Sequence, residues 1–140
     1  MTAAVFSAPG VPLTPTRSPN KVLIVGGTGH VGRLFLEQGL AMYGDAVEFR
    51  VLARSPAAAS DMAPSVKRIK GDIRDLESLR RACEGFTAES VIFDSSTYIN
   101  LAYHDADGSI VGTNLTGPLN VLTVARELGC SLQKAHSQAG

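Results

Sequence analysis

Glycines recur at every third position in the run Gly26-Gly27-Thr28-Gly29-His30-Val31-Gly32, directly after the apolar stretch Val22-Leu23-Ile24-Val25. Residues of this type at this spacing hold phosphate. Gly26 permits a tight turn, Gly29 lets the backbone approach a pyrophosphate with no side chain in the way, and Gly32 allows the next helix to pack closely on its strand. The free N–H groups and positive dipole end of that helix would face the anion. Thr28, His30 and Val31 complete the loop, so the ligand class it names is a dinucleotide. Glycine-rich turns also follow strands for purely structural reasons; here a strand before and a helix after supply the context the motif requires.

Two further places refine that reading. Dinucleotide sites that take NAD usually carry an acid about twenty residues past the loop, at the end of the second strand. This chain has Ala53-Arg54-Ser55 there. An arginine with no acid beside it can pair with a 2′-phosphate, and Arg33 offers a second partner, so NADP(H) is expected in preference to NAD(H). The alternative for Arg54 is a solvated cation at a strand end. After the third strand comes Gly71-Asp72-Ile73. Asp72 can accept from an adenine amino group and Ile73 can cover the ring, whereas Asp75, just before Leu76, reads as a helix N-cap.

The elements that must position these residues alternate along the chain. The loop opens a helix from His30 to about Met42 with Val31, Leu34, Phe35 and Leu40 as its expected inner face. Strands are expected at Val47–Ala53, Val66–Ile69 and Ser90–Asp94, with helices at Pro56–Met62, Leu76–Cys83 and Ser109–Leu128. The last carries Val111, Leu115, Leu119, Leu122 and Val124 as its apolar stripe. Strand–helix alternation with short links implies an α/β fold, a Rossmann-type doubly wound parallel sheet of strand order 3-2-1-4. From Cys130 onward the sequence is polar and lacks a Val/Ile run. The sheet is therefore expected to be truncated after about four strands, with residues 130–140 an irregular tail. The fourth strand would then be left at an open edge, a surface for self-association.

Composition excludes several classes. Net charge is zero, with 44% apolar and 19% charged residues. That leaves no electrostatic footprint for nucleic acid or an anionic membrane. No apolar run approaches the ~20 residues of a membrane span. Cys83 and Cys130 show no metal-ligand spacing and read as unpaired thiols of a reducing compartment. Residues 1–20 carry Pro9, Pro12, Pro15 and Pro19 and no acid. They read as a disordered leader with a faint likeness to an organelle transit peptide and no secretory signal. The ordered unit is expected over residues 21–129, in a cytoplasmic protein.

The run Val22–Gly32, the segment Gly71-Asp72-Ile73-Arg74-Asp75 and the stretch Asn114–Leu122 together resemble the extended short-chain dehydrogenase/reductase family. This family includes NAD(P)-dependent sugar epimerases and dehydratases and 3β-hydroxysteroid dehydrogenases. The glycine loop is shared with other Rossmann families, among them isoflavone-reductase-like proteins. The Asn-x-x-Gly-x-x-Asn pattern at Asn114, Gly117 and Asn120 discriminates better. The resemblance implies that Asn114 supports a proton relay through water near the active site. It also implies that Ser95 and Ser96 lie along the cofactor; Asp94 stands where the family is usually apolar. The family's Tyr-x-x-x-Lys pair is absent: Tyr43, Tyr98 and Tyr103 are followed four residues on by Val47, Ala102 and Asp107. The chain therefore reads as the NAD(P)-binding portion of such an enzyme without its proton-transfer pair. The alternatives are a non-catalytic NADP(H)-binding or sensor module that docks on a partner, and a chain too short to fold stably.

Overall fold

Apolar residues on both faces of one short strand set the architecture. A computed structural model describes residues 18–96 and 115–135. Strand β1 (Lys21–Val25) sends Val22 and Ile24 to one side and Leu23 and Val25 to the other, and all four are buried. A strand buried on both faces must be central and covered by helices, as parallel sheets require. The remaining elements are α1 (His30–Tyr43), β2 (Glu48–Ala53), β3 (Lys67–Lys70), α2 (Leu76–Ala82), β4 (Val91–Asp94), α3 (Gly117–Leu128) and β5 (Ser131–Lys134). Short 3₁₀ turns lie at Gly44–Ala46 and Pro56–Ala59. The five strands are all parallel and lie in the order β3-β2-β1-β4-β5.

Helix α1 covers one face of the sheet, where Phe35 and Leu36 pack with Val22, Ile24, Phe49 and Val51. The Phe35 and Phe93 rings stack there at 3.8 Å between centroids. Helices α2 and α3 cover the other face, where Leu79, Ala82, Val121 and Val124 meet Leu23, Leu52 and Ile92. The buried thiol of Cys83 belongs to this core, and burial pushes its pKa up to about 12. Asp75 caps α2, accepting from the backbone N–H groups of Glu77 and Ser78 as expected of it.

Four expectations need correction. Residues 131–134 are not irregular but form the fifth strand, so β4 has neighbours on both sides and β5 takes the edge. Ser131 to Lys134 join the sheet through backbone pairing, Leu132 packs on the core, and the Lys134 ammonium reaches the buried Asp94 carboxylate at 3.6 Å. No Val/Ile run is needed at a solvated edge that is fastened this way. The inner face of α1 is Gly32, Phe35, Leu36 and Gly39, whereas Val31 and Leu34 are about half exposed. On α3 the inner residues are Gly117, Val121, Val124 and Ala125, whereas Leu119 and Leu122, and Leu115 just before the helix, are exposed. The helix expected over Pro56–Met62 is a single 3₁₀ turn, Pro56–Ala59. Residues 1–17, Tyr98, Tyr103, Val111, Asn114 and His136 lie outside the described residues.

Candidate functional site

The carboxyl ends of β1, β2 and β4 and the segment after β3 surround a cavity of about 240 Å³. Its walls include Val25 at the end of β1, Gly26, Thr28 and Gly29 from the glycine loop, Leu52 and Ala53 at the end of β2 with Arg54 just after it, Gly71, Asp72 and Ile73 after β3, and Ser95 and Ser96 after β4. Eight residues singled out in the sequence are thereby brought to one place: Gly26, Thr28, Gly29, Arg54, Asp72, Ile73, Ser95 and Ser96. The position is the crevice where β1 has β2 on one side and β4 on the other, the topological switch point at which open α/β sheets bind ligands.

The glycines of the loop answer to different demands. Gly26 has φ +77°, and a Cβ there would lie 2.8 Å from the Ser96 nitrogen. At Gly32 a Cβ would meet the Gly26 carbonyl oxygen at 2.5 Å, and at Gly27 it would strike Val51 at 2.6 Å. These three are required by the protein's own packing. Gly29 is less constrained: its φ is −79°, open to any residue, and a Cβ there would meet only the Gly26 carbonyl oxygen among the described residues, at 3.3 Å, a close contact that a small shift relieves. Yet Gly29 lines the cavity and stands at the N-cap of α1, with no side-chain cap and no acid in the first turn. The space beside it is what a phosphate approaching the first N–H groups of a helix requires.

Hydrogen bonds fix the walls. Ser95 donates from its backbone N–H to the Val25 carbonyl at 2.9 Å, and its hydroxyl lies 2.9 Å from the same oxygen and 3.2 Å from that of Gly26. This ties the end of β4 to the glycine loop. Asp94 accepts from the Ser96 N–H at 2.9 Å and from its hydroxyl at 2.5 Å, so the buried acid orders the residue beside the cleft. It occupies the strand without disrupting its pairing with Val25.

Asp72 is held by Arg74 through the backbone N–H and the guanidinium, with a shortest contact of 2.7 Å. That hydrogen bonding keeps the Asp72 carboxyl below the ordinary carboxylate range. The Ser78 hydroxyl accepts from the Asp72 N–H at 3.0 Å and is 2.8 Å from the carbonyls of Asp72 and Asp75.

Arg33 is not at the cavity. Its guanidinium donates to the Thr28 carbonyl at 3.1 Å, to both Asp61 oxygens at 3.1 Å and to the Ala58 carbonyl at 2.9 Å. It fastens the glycine loop to the turn after β2. Gly27, His30, Val31 and Gly32 also lie outside the cavity wall. Two positioning residues escaped the sequence reading although they sit in the quoted Asn-x-x-Gly-x-x-Asn pattern. Asn120 donates to the Ile73 carbonyl at 3.1 Å, and a Cβ on Gly117 would meet the Ile73 side chain at 2.9 Å. The motif's visible half thus seats the residue expected to cover the adenine. Among the described residues no cluster of His, Cys, Asp and Glu could hold a metal ion, and no helix is long and apolar enough to cross a membrane.

A parallel sheet with a glycine loop opening a helix at its switch point defines a Rossmann-type dinucleotide-binding domain. The chain belongs to the NAD(P)H-binding family, whose model matches residues 26–128. Among solved structures it is similar to L-threonine dehydrogenase from Clostridium difficile at 19% identity and a TM-score of 0.69, covering 84% of this chain and 36% of that one. It is also similar to the Bordetella bronchiseptica enzyme WbmG in complex with NAD, at 24% identity and a TM-score of 0.67 over 87% and 39% of the two chains. With Thermus thermophilus UDP-glucose 4-epimerase, also in complex with NAD, it shares 25% identity and a TM-score of 0.62 over 78% and 34%. The chain spans less than half the length of each of these enzymes. No curated protein matches the sequence.

Proposed function

We propose that this chain is the NADP(H)-binding portion of an extended short-chain dehydrogenase/reductase, of the oxidoreductase or nucleotide-sugar epimerase/dehydratase type. When bound, the dinucleotide supplies a nicotinamide that can accept or donate a hydride. The chain's own residues bind and orient it. Gly29 and the first turn of α1 take the pyrophosphate, Asp72 and Ile73 take the adenine, Arg54 takes a 2′-phosphate, and Ser95 and Ser96 lie along the nicotinamide half. Asp72 shares its carboxylate between Arg74 and the adenine amino group. No Tyr-x-x-x-Lys is present, so proton exchange with a substrate is not assigned to these residues.

The observation that carries this reading is Gly29: a glycine that its backbone angle does not require and that the protein's packing constrains least among the loop glycines, at the wall of the cavity. Titration of the full chain with NADPH and NADH, followed by calorimetry and thermal unfolding, tests it. Saturable binding is expected, and at a hundred times Kd the ligand adds about 2.7 kcal/mol of apparent stability. Gly29→Ala is expected to weaken binding of both nucleotides at least tenfold with little change in the melting temperature of the free chain. Absence of binding to either nucleotide by the folded chain overturns the reading.

A further inference from the structure

A second cavity, of about 530 Å³, adjoins the first and shares Arg54, Gly71 and Asp72 with it. It opens between the end of β2, the end of β3 and the outer side of α2, and its walls include Lys70, Asp75, Ser78 and Arg81. Its wall brings three cations together. Arg33, Arg50, Arg68, Arg74 and Arg80 are each bound to a carboxylate or to backbone carbonyls. Arg54, Lys70 and Arg81 have no side-chain hydrogen bond or ion pair among the described residues, and all three border the one cavity. The two acids in its wall make their hydrogen bonds elsewhere, while the Arg54 charge acts on Asp72 only at longer range than that of Arg74. Asp72 is paired with Arg74, and Asp75 is turned to the N-terminus of α2 as its cap.

Arg54 borders the cavity from the bend just after β2 and Arg81 from α2, so the two approach it from two elements. Lys70 borders it from the free edge of β3. Two unpaired guanidinium groups facing one space suit a dianionic phosphomonoester, which offers enough oxygens for charge-assisted bonds to both.

We propose that Arg81, with Lys70 beside it, completes with Arg54 the site for the phosphomonoester on the adenosine ribose, and that Arg81 sets the preference for the phosphorylated dinucleotide. The proposal rests on the reading that the first cavity binds NADP(H). In that arrangement the adenine half lies against Asp72 and Ile73, and its ribose phosphate enters the adjoining space. Arg81 contributes from helix α2, outside the loop after β2 where the sequence placed the phosphate contact.

The test is a calorimetric titration of the full chain, wild type and Arg81→Gln, with NADPH and with NADH. Arg81 is exposed, so its replacement leaves the core intact. The expected result is a loss of about tenfold in NADPH affinity, an unchanged NADH affinity, and a recovery of most of the NADPH affinity in Arg81→Lys. Lys70→Gln is expected to lose less, about threefold. If wild type prefers NADPH and Arg81→Gln keeps that preference, the role of Arg81 is overturned while the cofactor reading stands on Arg54. Equal losses for NADPH and NADH overturn it too, because they mark a structural role. If wild type binds both nucleotides equally, the preference for a ribose phosphate itself fails, and the assignment of Arg81 fails with it.

Discussion

Arg50 lies near the amino end of β2 and Arg54 just past its carboxyl end, and they meet opposite fates. Arg50 is 5% exposed. Its guanidinium donates to Glu48 at 2.5 Å and to the carbonyls of Ala82 and Glu84 at 2.8 Å each, and lies 5.0 Å from the centre of the Phe86 ring. It closes the carboxyl end of α2, where unsatisfied carbonyls gather. Arg54 has no such partner among the described residues and borders both cavities. The contrast separates a cation that fastens the fold from one held ready for a ligand. Residue type and strand position do not distinguish them; the supply of acceptors from the chain itself does.

Breaking each side of this comparison should register on a different instrument. The largest effect is expected for Arg50→Ala, which strands the buried Ala82 carbonyl, leaves the Glu84 carbonyl and the Glu48 carboxylate without this partner, and empties the space beside Phe86. Denaturant unfolding should show a loss of about 3 kcal/mol or more, with the NADPH-to-NADH affinity ratio of the folded protein unaltered. A change in that ratio would mean the two ends of β2 are coupled. Next comes Arg54→Gln, for which calorimetry should record about a tenfold drop in NADPH affinity. Its unfolding free energy should stay within about 0.5 kcal/mol of wild type, as for other surface changes.

The smallest effect concerns Asp72, whose folded pKa is depressed by Arg74. A depressed carboxyl stabilises the fold above its unfolded pKa of about 3.9 and loses that contribution as pH falls through the folded value. Stability measured from pH 6 downward should therefore fall less steeply in Asp72→Asn than in wild type below about pH 4. An identical acid limb would show that the Arg74 pairing adds nothing to stability.

Much of this arrangement was legible in the sequence where hydrophobic runs and glycines coincide. Val22–Val25, the glycine loop and Gly71-Asp72-Ile73 led to the strand order around β1 and to most of the cavity wall. The misreadings share a physical cause. Gly39 belongs to the inner face of α1 because a Cβ there would run into the Phe49 ring at 2.6 Å. A residue chosen for having no side chain leaves no mark in an apolar pattern, so Val31 and Leu34 took its place in the expected face. Strand β5 was invisible for a related reason. Its attachment lies in backbone bonds such as Ala135 N–H to the Asp94 carbonyl at 2.9 Å, and in the Asp94–Lys134 pair, none of which needs β-branched residues. Asp94, which looked like a fault in β4, is the anchor for that edge. The tying up of Arg33 by Asp61 and Ala58 depends on contacts 25 and 28 residues away, which no local spacing reveals.

The all-parallel pairing also dictates how the chain can acquire its shape. No strand can join its partner through a tight hairpin, so each pairing waits on a crossover. On one flank of β1 the partners arrive in order, β2 and then β3, and their contacts span modest lengths of chain. On the other flank Val22 must find Val91, which lies beyond all of that, and β5 has no place to dock until it does. Closing so long a loop is entropically slow. The β1–β2–β3 half can therefore consolidate on the ribosome while the residues of β4 are still unsynthesised, and Ser95 is the clasp that joins the second half to the glycine loop when they arrive.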